Sequence, residues 1–588
     1  MPSRLTTIHE RFLPAHIRQE RVEQRLAAQR EADAAAAERR RWEKLAARRT
    51  ALLARDSDLR ELLGQGQAYV GRRVHSLTET DARTRNLVLI ADALDHAGLD
   101  YFLVPGRSHL RHVIGIRFAD RKPFLTALRE LYATTALYAL TPTKDRWPTE
   151  AALYADGALP VALKRQDTIR FGEILLGPDD QILADLTQGC DVEFWRDGQA
   201  LLAKATEPRA AEHLAALRVQ APAAVLSDAL VAPRPNAVAD VLPVEARVPA
   251  TRSISGRTYP TWDAFQQSRI DTVDFPIDVV YTWVDGNDPL LTATREAHRP
   301  TDATPRIHAR ETGASRYTSR DELKYSLRSL QMYAPFVRTI YLVTDGQTPA
   351  WLDTAAPGIQ VIDHKDIFSD PTALPVFNSH AIETQLHHID GLSERYLYLN
   401  DDVFLGRPIT ADHFFHGNGI AKLPFSPAQL GLGTPHPDEP APNSAGKNVR
   451  GLIQATHGRL TVNKFMHTPH PQIRTVMREL EDHFAQELER TSRSKFRALT
   501  DIAPAASLHH HHAYLTGQAV PSRFKLRYVD VAQPDAQEKM AELLDERAFD
   551  FFCLNDVNTP ADQQERISKE VHDFLETYFP FPSRWEVC

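Results

Sequence analysis

The C-terminal half of the chain repeats one pattern of apolar and polar positions. Short β-branched or aromatic runs stop abruptly at carboxylates or amides: FPIDVVYTWVDG (275–286), TIYLVTDG (339–346), GIQVIDHKDIF (358–368), RYLYLNDDVFLG (395–406) and FDFFCLND (549–556). Runs this short, bounded by Asp, Asn and Gly, predict buried strands ending in polar turns. SRDELKYSLRSLQMYAP predicts a helix, with Leu323, Leu327 and Leu330 on one face, Asp321 as its cap and Pro335 as its stop. A second helix starts at Asn378-Ser379 and carries His380, Glu383 and His387 on neighbouring turns. Strand, helix, strand, loop, strand predicts a doubly wound α/β sheet, in which ligands sit at the C-terminal strand edges.

Upstream the pattern changes twice. Residues from Ile17 to Leu63 are rich in Ala, Glu, Arg and Leu, and predict a long solvated helix or short coiled coil. NLVLIADALDHAGL, DYFLVP and DTIRFGEILLG then alternate helical and strand spacing. The expected organisation is a charged helical segment (1–80), a small α/β accessory domain (81–218), a Pro-rich linker (219–265) and a catalytic domain (266–588). The Pro- and Gly-rich stretch from Leu423 to Asn448 predicts a long mobile loop of the kind that forms lids.

Length and composition narrow the class. At 588 residues the chain exceeds one hydrophobic core, so several domains are expected. Net charge is −8 and no dense Lys/Arg block occurs, which argues against nucleic-acid binding. The beginning of the chain is charged, and no apolar run reaches the length of a membrane span. The expected location is the cytoplasm, with peripheral association at the inner membrane face and homo-oligomerisation left open. The three cysteines, Cys190, Cys553 and Cys588, are too scattered for a disulfide framework or a Cys-type zinc site.

The chemistry concentrates at the strand ends. Adjacent Asp401 and Asp402 suit Mg²⁺ (or Mn²⁺), which takes few protein oxygens and fills its shell from water and phosphate. Asp285 ends an earlier strand, and Asn555 with Asp556 end a later one. His380, Glu383 and His387 could ligate a metal, although hydrogen bonding is the commoner use of such a group. NKFMHTPHP supplies His467 and His470, and SRSKFRALTDI supplies Arg497, which could grip phosphate bidentately. His509 to His512 are four consecutive histidines in a helix-like pattern and do not favour a metal site.

Four ordered blocks together resemble the Stealth family of sugar-1-phosphate transferases: IDVVYTWVDGNDP, the run from RDELKYSLRSL through YLYLNDDVFLGRP, the HTPHP region, and CLND. The resemblance spans Pro276 to Asn558, and residues up to about Pro260 lie outside it. It implies a Rossmann-like, glycosyltransferase-type (GT-A-like) core using magnesium and a UDP-sugar donor. It also implies attack by a glycan hydroxyl on the sugar-proximal phosphorus, releasing UMP and building phosphodiester-linked capsule or exopolysaccharide; the transferred group is expected to be N-acetylhexosamine-1-phosphate.

Carried residue by residue, the resemblance makes Asp401 and Asp402 the metal-linked pair, joined in our reading by Asp556. His470 falls at the third-block histidine and Arg497 at a phosphate-facing arginine, with Asp285 positioning substrate or metal. Substrate contacts are expected from Asn378, His380, Glu383, Asn400, Arg320, Lys324, His467 and Asn555. His470, or one of the carboxylates, is the expected proton acceptor. The alternatives are a glycosyltransferase that releases UDP and a catalytically silent glycan-binding scaffold.

Overall fold

Residues Ala15–Arg55 form one almost wholly exposed helix, as a run of strong helix formers without Gly or Pro dictates. This computed structural model describes residues 14–299, 319–556 and 559–587; the first thirteen residues of the expected N-terminal segment lie outside it. The helix ends earlier than expected. Leu59–Gly64 and Gln67–Arg73 form an antiparallel hairpin, turned at Gln65 (φ 47°) and Gly66 (φ 79°). A Gly at the second left-handed position makes that turn accessible, which a composition-based helix reading overlooks. The hairpin pairs in parallel with Ile174–Leu176, so these residues belong to the accessory unit.

The accessory unit is built on an eight-stranded mixed sheet. Its central strand, Cys190–Asp197, pairs in parallel with Val113–Arg117 and antiparallel with Thr168–Gly172. The helix Glu79–His96, closed by a reciprocal Thr78–Asp81 capping box, buries Leu87, Ile90 and Leu94 against this sheet. The Pro-rich stretch 219–265 is not a free connection. Leu230–Val231 and Val241–Leu242 extend the sheet, and Trp262 and Phe265 pack on Phe102. Proline forbids helix continuation but tolerates sheet edges, so its abundance does not by itself mark a linker.

The C-terminal half holds the second core. Strands β1 (Ile277–Thr282), β2 (Val337–Thr344), β3 (Ile359–Asp363) and β4 (Arg395–Asn400) are parallel, in the order β3-β2-β1-β4. β6 (His470–Ile473) closes the β4 edge antiparallel, setting His470 opposite Tyr398. Helix α1 (Glu322–Tyr333) buries Leu323, Leu327 and Leu330 with the interior of this sheet, and α2 (Ser379–Glu383) follows β3. Beyond β4 the chain turns at Asp401-Asp402 into β5 (Val403–Leu405), which pairs antiparallel with β8 (Phe551–Asn555). β8 pairs in parallel with β7 (Leu526–Asp530). The acidic turn therefore bridges two sheets.

Two local expectations change. Asp321 adopts φ 62° and its side chain makes no capping bond; the Glu322 carboxylate instead accepts the Arg320 amide at 2.5 Å. The stretch from Leu423 to Asn448 is not one loop: it holds strand Phe425–Gln429 and the start of helix Ala441–His457, with residues 430–440 irregular between them. Proline in a first helical turn forfeits no hydrogen bond, so Pro442 marks a beginning here rather than a loop. Among the described residues no helix is long and apolar enough to cross a membrane.

Candidate active site

The acidic turn between β4 and β5 is pinned from two other elements. Asp402 Oδ1 accepts a hydrogen bond from His467 Nε2 at 3.1 Å, and Oδ2 accepts one from the Cys553 thiol at 3.3 Å. The Asp402 carbonyl accepts the Leu554 amide at 3.1 Å, continuing the β5–β8 register in which Cys553 faces Val403. Burial raises the proton affinity of Asp402, but the His467 charge and these bonds overcome it and hold the carboxyl below its ordinary range. His467 shifts the opposite way: Asp402 outweighs desolvation and makes the imidazole more basic. Burial and the neighbouring carboxylates keep the Cys553 thiol protonated, so it serves as a donor and not as a thiolate.

Asp401 is in a different state. Desolvation, then Glu322 and then Asp402 push its proton affinity well above the ordinary value. Glu322, buried at the start of α1, is likewise raised by desolvation. Of these carboxylates Asp402 has His467 and Glu322 has Arg320 at 3.7 Å, which leaves the Asp401 charge the least compensated, and carboxylate oxygens are the donor type that a hard divalent cation takes. Asp401 and Asp402 would hold it, with Glu322 beside them.

Asp556, the third expected ligand, is engaged elsewhere. Its carboxylate accepts Arg320 Nη2 at 2.5 Å, and the same guanidinium donates to Gln564 Oε1 at 2.8 Å and Ser568 Oγ at 3.0 Å. Arg320 thereby ties the β8 end to α1 and to the final helix, a structural station rather than a free substrate contact.

A second group lies under the β4 end. Glu383 is buried; it accepts the Ala505 amide at 3.3 Å and the Tyr398 hydroxyl at 3.4 Å. Desolvation moves its titration up to about 7, opposed by the nearby Arg497 charge. Arg497 donates to Ser379 Oγ at 2.6 Å, and its charge is felt by His467 as well as Glu383. Asp402, His467, Glu383 and Arg497 thus form one electrostatic cluster at the carboxyl edge of the sheet.

The other expected residues sit on neighbouring elements. Asn378 caps α2 through the His380 amide at 3.1 Å and donates to Asp501 at 2.8 Å, acting as a buried latch, while His380 is buried in the first turn of α2. Asp285 accepts the Asn287 amide at 2.9 Å within its own turn at the β1 end. Lys324 lies 3.8 Å from Glu586 of the C-terminal segment. Asn400 is the last residue of β4, and Asn555 donates to the Tyr528 hydroxyl at 2.7 Å. His380, Glu383 and His387 do not converge: His387 turns to Glu481 at 2.9 Å, which His388 also reaches at 3.1 Å.

Of the two third-block histidines it is His467 that reaches Asp402. His470 is buried on β6, its ring stacked on Tyr398 and its Nδ1 3.0 Å from His510 Nε2. Desolvation lowers its proton affinity to about 3, unsuited to the base role expected of it. Sequence reasoning missed Glu322, hidden inside the helix-start signal RDEL, and the Cys553 donor in CLND.

Models of Stealth protein conserved regions 1, 2, 3 and 4 match residues 275–301, 316–423, 466–514 and 541–587. Asp401 and Asp402 fall in region 2, His467 and His470 in region 3, and Cys553 in region 4. The chain belongs to the Stealth family. It is 40% identical to exopolysaccharide phosphotransferase SCO2594 of Streptomyces coelicolor, over 91% of this chain and 89% of that protein. Exopolysaccharide phosphotransferase SCO6023 of the same organism is 39% identical over 86% and 82%, and CpsY of Mycobacterium tuberculosis 32% over 88% and 91%. A structural likeness to the glycosyltransferase GlyE of Streptococcus pneumoniae covers 52% of this chain and 66% of that one, at 12% identity. Its TM-score of 0.22 gives it no weight here.

Proposed function

We propose that this protein is an exopolysaccharide-building phosphotransferase that moves a hexose-1-phosphate, N-acetylhexosamine-1-phosphate in the first instance, from a UDP-sugar to a glycan hydroxyl. The observation that carries the reading is the Asp402–His467 pair, with the Asp401 carboxylate acting on Asp402's side of it and the Arg497 charge acting on His467. Strand-edge acids suit a cation-bound diphosphate, and a guanidinium in the same cluster suits its remaining charge.

Mg²⁺ (or Mn²⁺), bound through Asp401 and Asp402, would neutralise part of the diphosphate charge. The acceptor hydroxyl oxygen forms a bond to the sugar-proximal phosphorus while the bond from that phosphorus to the bridging oxygen breaks, and UMP departs with the bridging oxygen. His467 takes the hydroxyl proton at Nδ1: its Nε2–H is held by Asp402, which fixes the tautomer and supports the imidazolium that forms. Arg497 shares the charge on the transferring phosphoryl oxygens. Glu383, sensing both His467 and Arg497, sets their field from below.

Incubation with a UDP-sugar, Mg²⁺ and a hydroxyl-bearing glycan, followed by separation of UMP from UDP, tests the reading. UMP formed in step with a new phosphodiester is expected. UDP as the released nucleotide would overturn it in favour of glycosyl transfer.

A further inference from the structure

The run His509–His512 has no part in the chemistry above, yet His509 and His510 are completely buried. They follow a π-helical turn, Pro504–Leu508, that brings them against β6. Such turns are rare, and this one places three imidazoles in a chain. The Ile473 amide lies 2.9 Å from His509 Nε2, His509 Nδ1 lies 3.2 Å from His510 Nδ1, and His510 Nε2 lies 3.0 Å from His470 Nδ1.

The chain has only one consistent polarity while its rings are neutral. A backbone amide can only donate, so His509 Nε2 accepts and its proton sits on Nδ1. That proton is donated to His510 Nδ1, which leaves the His510 proton on Nε2. His510 Nε2–H is in turn donated to His470 Nδ1, and the His470 proton is left on Nε2. Neutrality follows from the surroundings: desolvation lowers His509 to about 3 and His510 well below its ordinary value.

With its Nδ1 taken by His510 and Tyr398 lying roughly parallel at 6.5 Å between ring centroids, His470 has Nε2 as its remaining ring nitrogen, and the His467 charge acts on this same ring. We propose that His470 is a fixed hydrogen-bond donor, presenting Nε2–H to the donor phosphate or sugar, and that His509 and His510 are positioning residues that lock this tautomer from the Ile473 amide. Its substrate side rests on the phosphoryl-transfer reading; the tautomer assignment does not.

Two measurements on the full chain separate those parts. In protein labelled with [¹⁵N]histidine, the His470 ring, identified by signal loss in His470→Gln, should be protonated at Nε2 and bare at Nδ1 at pH 7. The opposite tautomer, or a doubly protonated ring, would overturn the proposal. This holds even if wild type releases no UMP, an outcome that would remove the functional reading alone. Kinetics read the role of the proton. Gln places an amide N–H where Nε2–H stood, whereas Asn can keep the bond from His510 but loses the reach, and Glu supplies only an acceptor. His470→Gln should keep kcat within about tenfold of wild type, with Asn and Glu falling ~10²- to 10³-fold, the usual loss for one oriented donor. His510→Phe should lower kcat while leaving the KM for UDP-sugar near wild type, and should give a mixed His470 tautomer. Asn or Glu matching Gln, in variants that melt like wild type, would overturn the donor role.

Discussion

Replacing Glu383 by Gln should change how stability depends on pH in a way that can be worked from the site. The carboxyl is 5% exposed, accepts the Ala505 amide at 3.3 Å and the Tyr398 hydroxyl at 3.4 Å, and titrates at about 7 instead of 4.5. A folded-state value above the unfolded one means that the folded protein binds the proton more tightly. The resulting stabilisation is complete below the unfolded value and is lost as pH rises through the folded one. With 1.36 kcal/mol per pH unit, wild type should lose about 2.5 kcal/mol from this group between pH 5 and pH 8. Gln is nearly isosteric, cannot ionise and still accepts the Ala505 amide, so Glu383→Gln should escape that loss. The difference between the two melting temperatures should therefore widen by about 2–4 °C from pH 5 to pH 8, followed by scanning calorimetry without nucleotide. Groups remote from Glu383 titrate equally in both proteins and cancel; His467, whose proton affinity the Glu383 charge raises, is removed from the comparison by repeating the pair of melts in a His467→Gln background. Parallel melting-temperature curves across that range would refute the assignment of Glu383 as a buried carboxyl that ionises near neutrality.

Two further substitutions probe the cluster and its frame. His467→Ala should lower kcat by ~10²- to 10⁴-fold, the range for loss of a general base, with the KM for UDP-sugar changed far less, as initial rates of UMP release will measure. Arg320→Ala should destabilise the fold by ~3–5 kcal/mol, because it leaves the Asp556 and Glu322 carboxylates buried without their partner; urea unfolding of the two proteins is the check.

What was legible in the sequence follows from how local each signal is. Strands β1 and β4 and the second half of β2 are buried on both faces, so they read as nearly unbroken apolar runs, whereas edge strand β3 is buried only at Ile359; the polar residue ending each run marks the edge where ligands bind. The Leu59–Arg73 hairpin was missed because composition favours helix there, while two residues, Gln65 and Gly66, decide the turn. The site partners were missed for another reason. Cys553 meets Asp402 across 151 residues of chain and His467 meets it across 65, through pairings that no local pattern encodes. His467 and His470 are three residues apart, but His470 opens β6 and is carried beneath Tyr398, whereas His467 precedes the strand and remains a third exposed. Spacing could nominate both; only the β4–β6 register separates them.

The same reasoning makes the two adjacent aspartates unequal, and that inequality can be tested without turnover. Asp402 has an imidazole on one oxygen and a thiol on the other, so its charge is stabilised whether or not a cation is present. Asp401 has Glu322 and Asp402 as its dominant neighbours, and its charge is unfavourable until something positive arrives. Its raised proton affinity contributes stability that fades as pH climbs through the folded-state value. Asp401→Asn should therefore leave the metal-free protein at least as stable as wild type, and more stable at alkaline pH, whereas Asp402→Asn should destabilise it by stranding His467. Added Mg²⁺ should reverse the ranking. At one hundred times its dissociation constant a ligand stabilises the folded state by about 2.7 kcal/mol, a gain open to wild type and closed to Asp401→Asn. Melting curves with and without Mg²⁺ decide between the two outcomes: equal Mg²⁺-induced shifts in wild type and Asp401→Asn would place the cation somewhere other than this acidic turn.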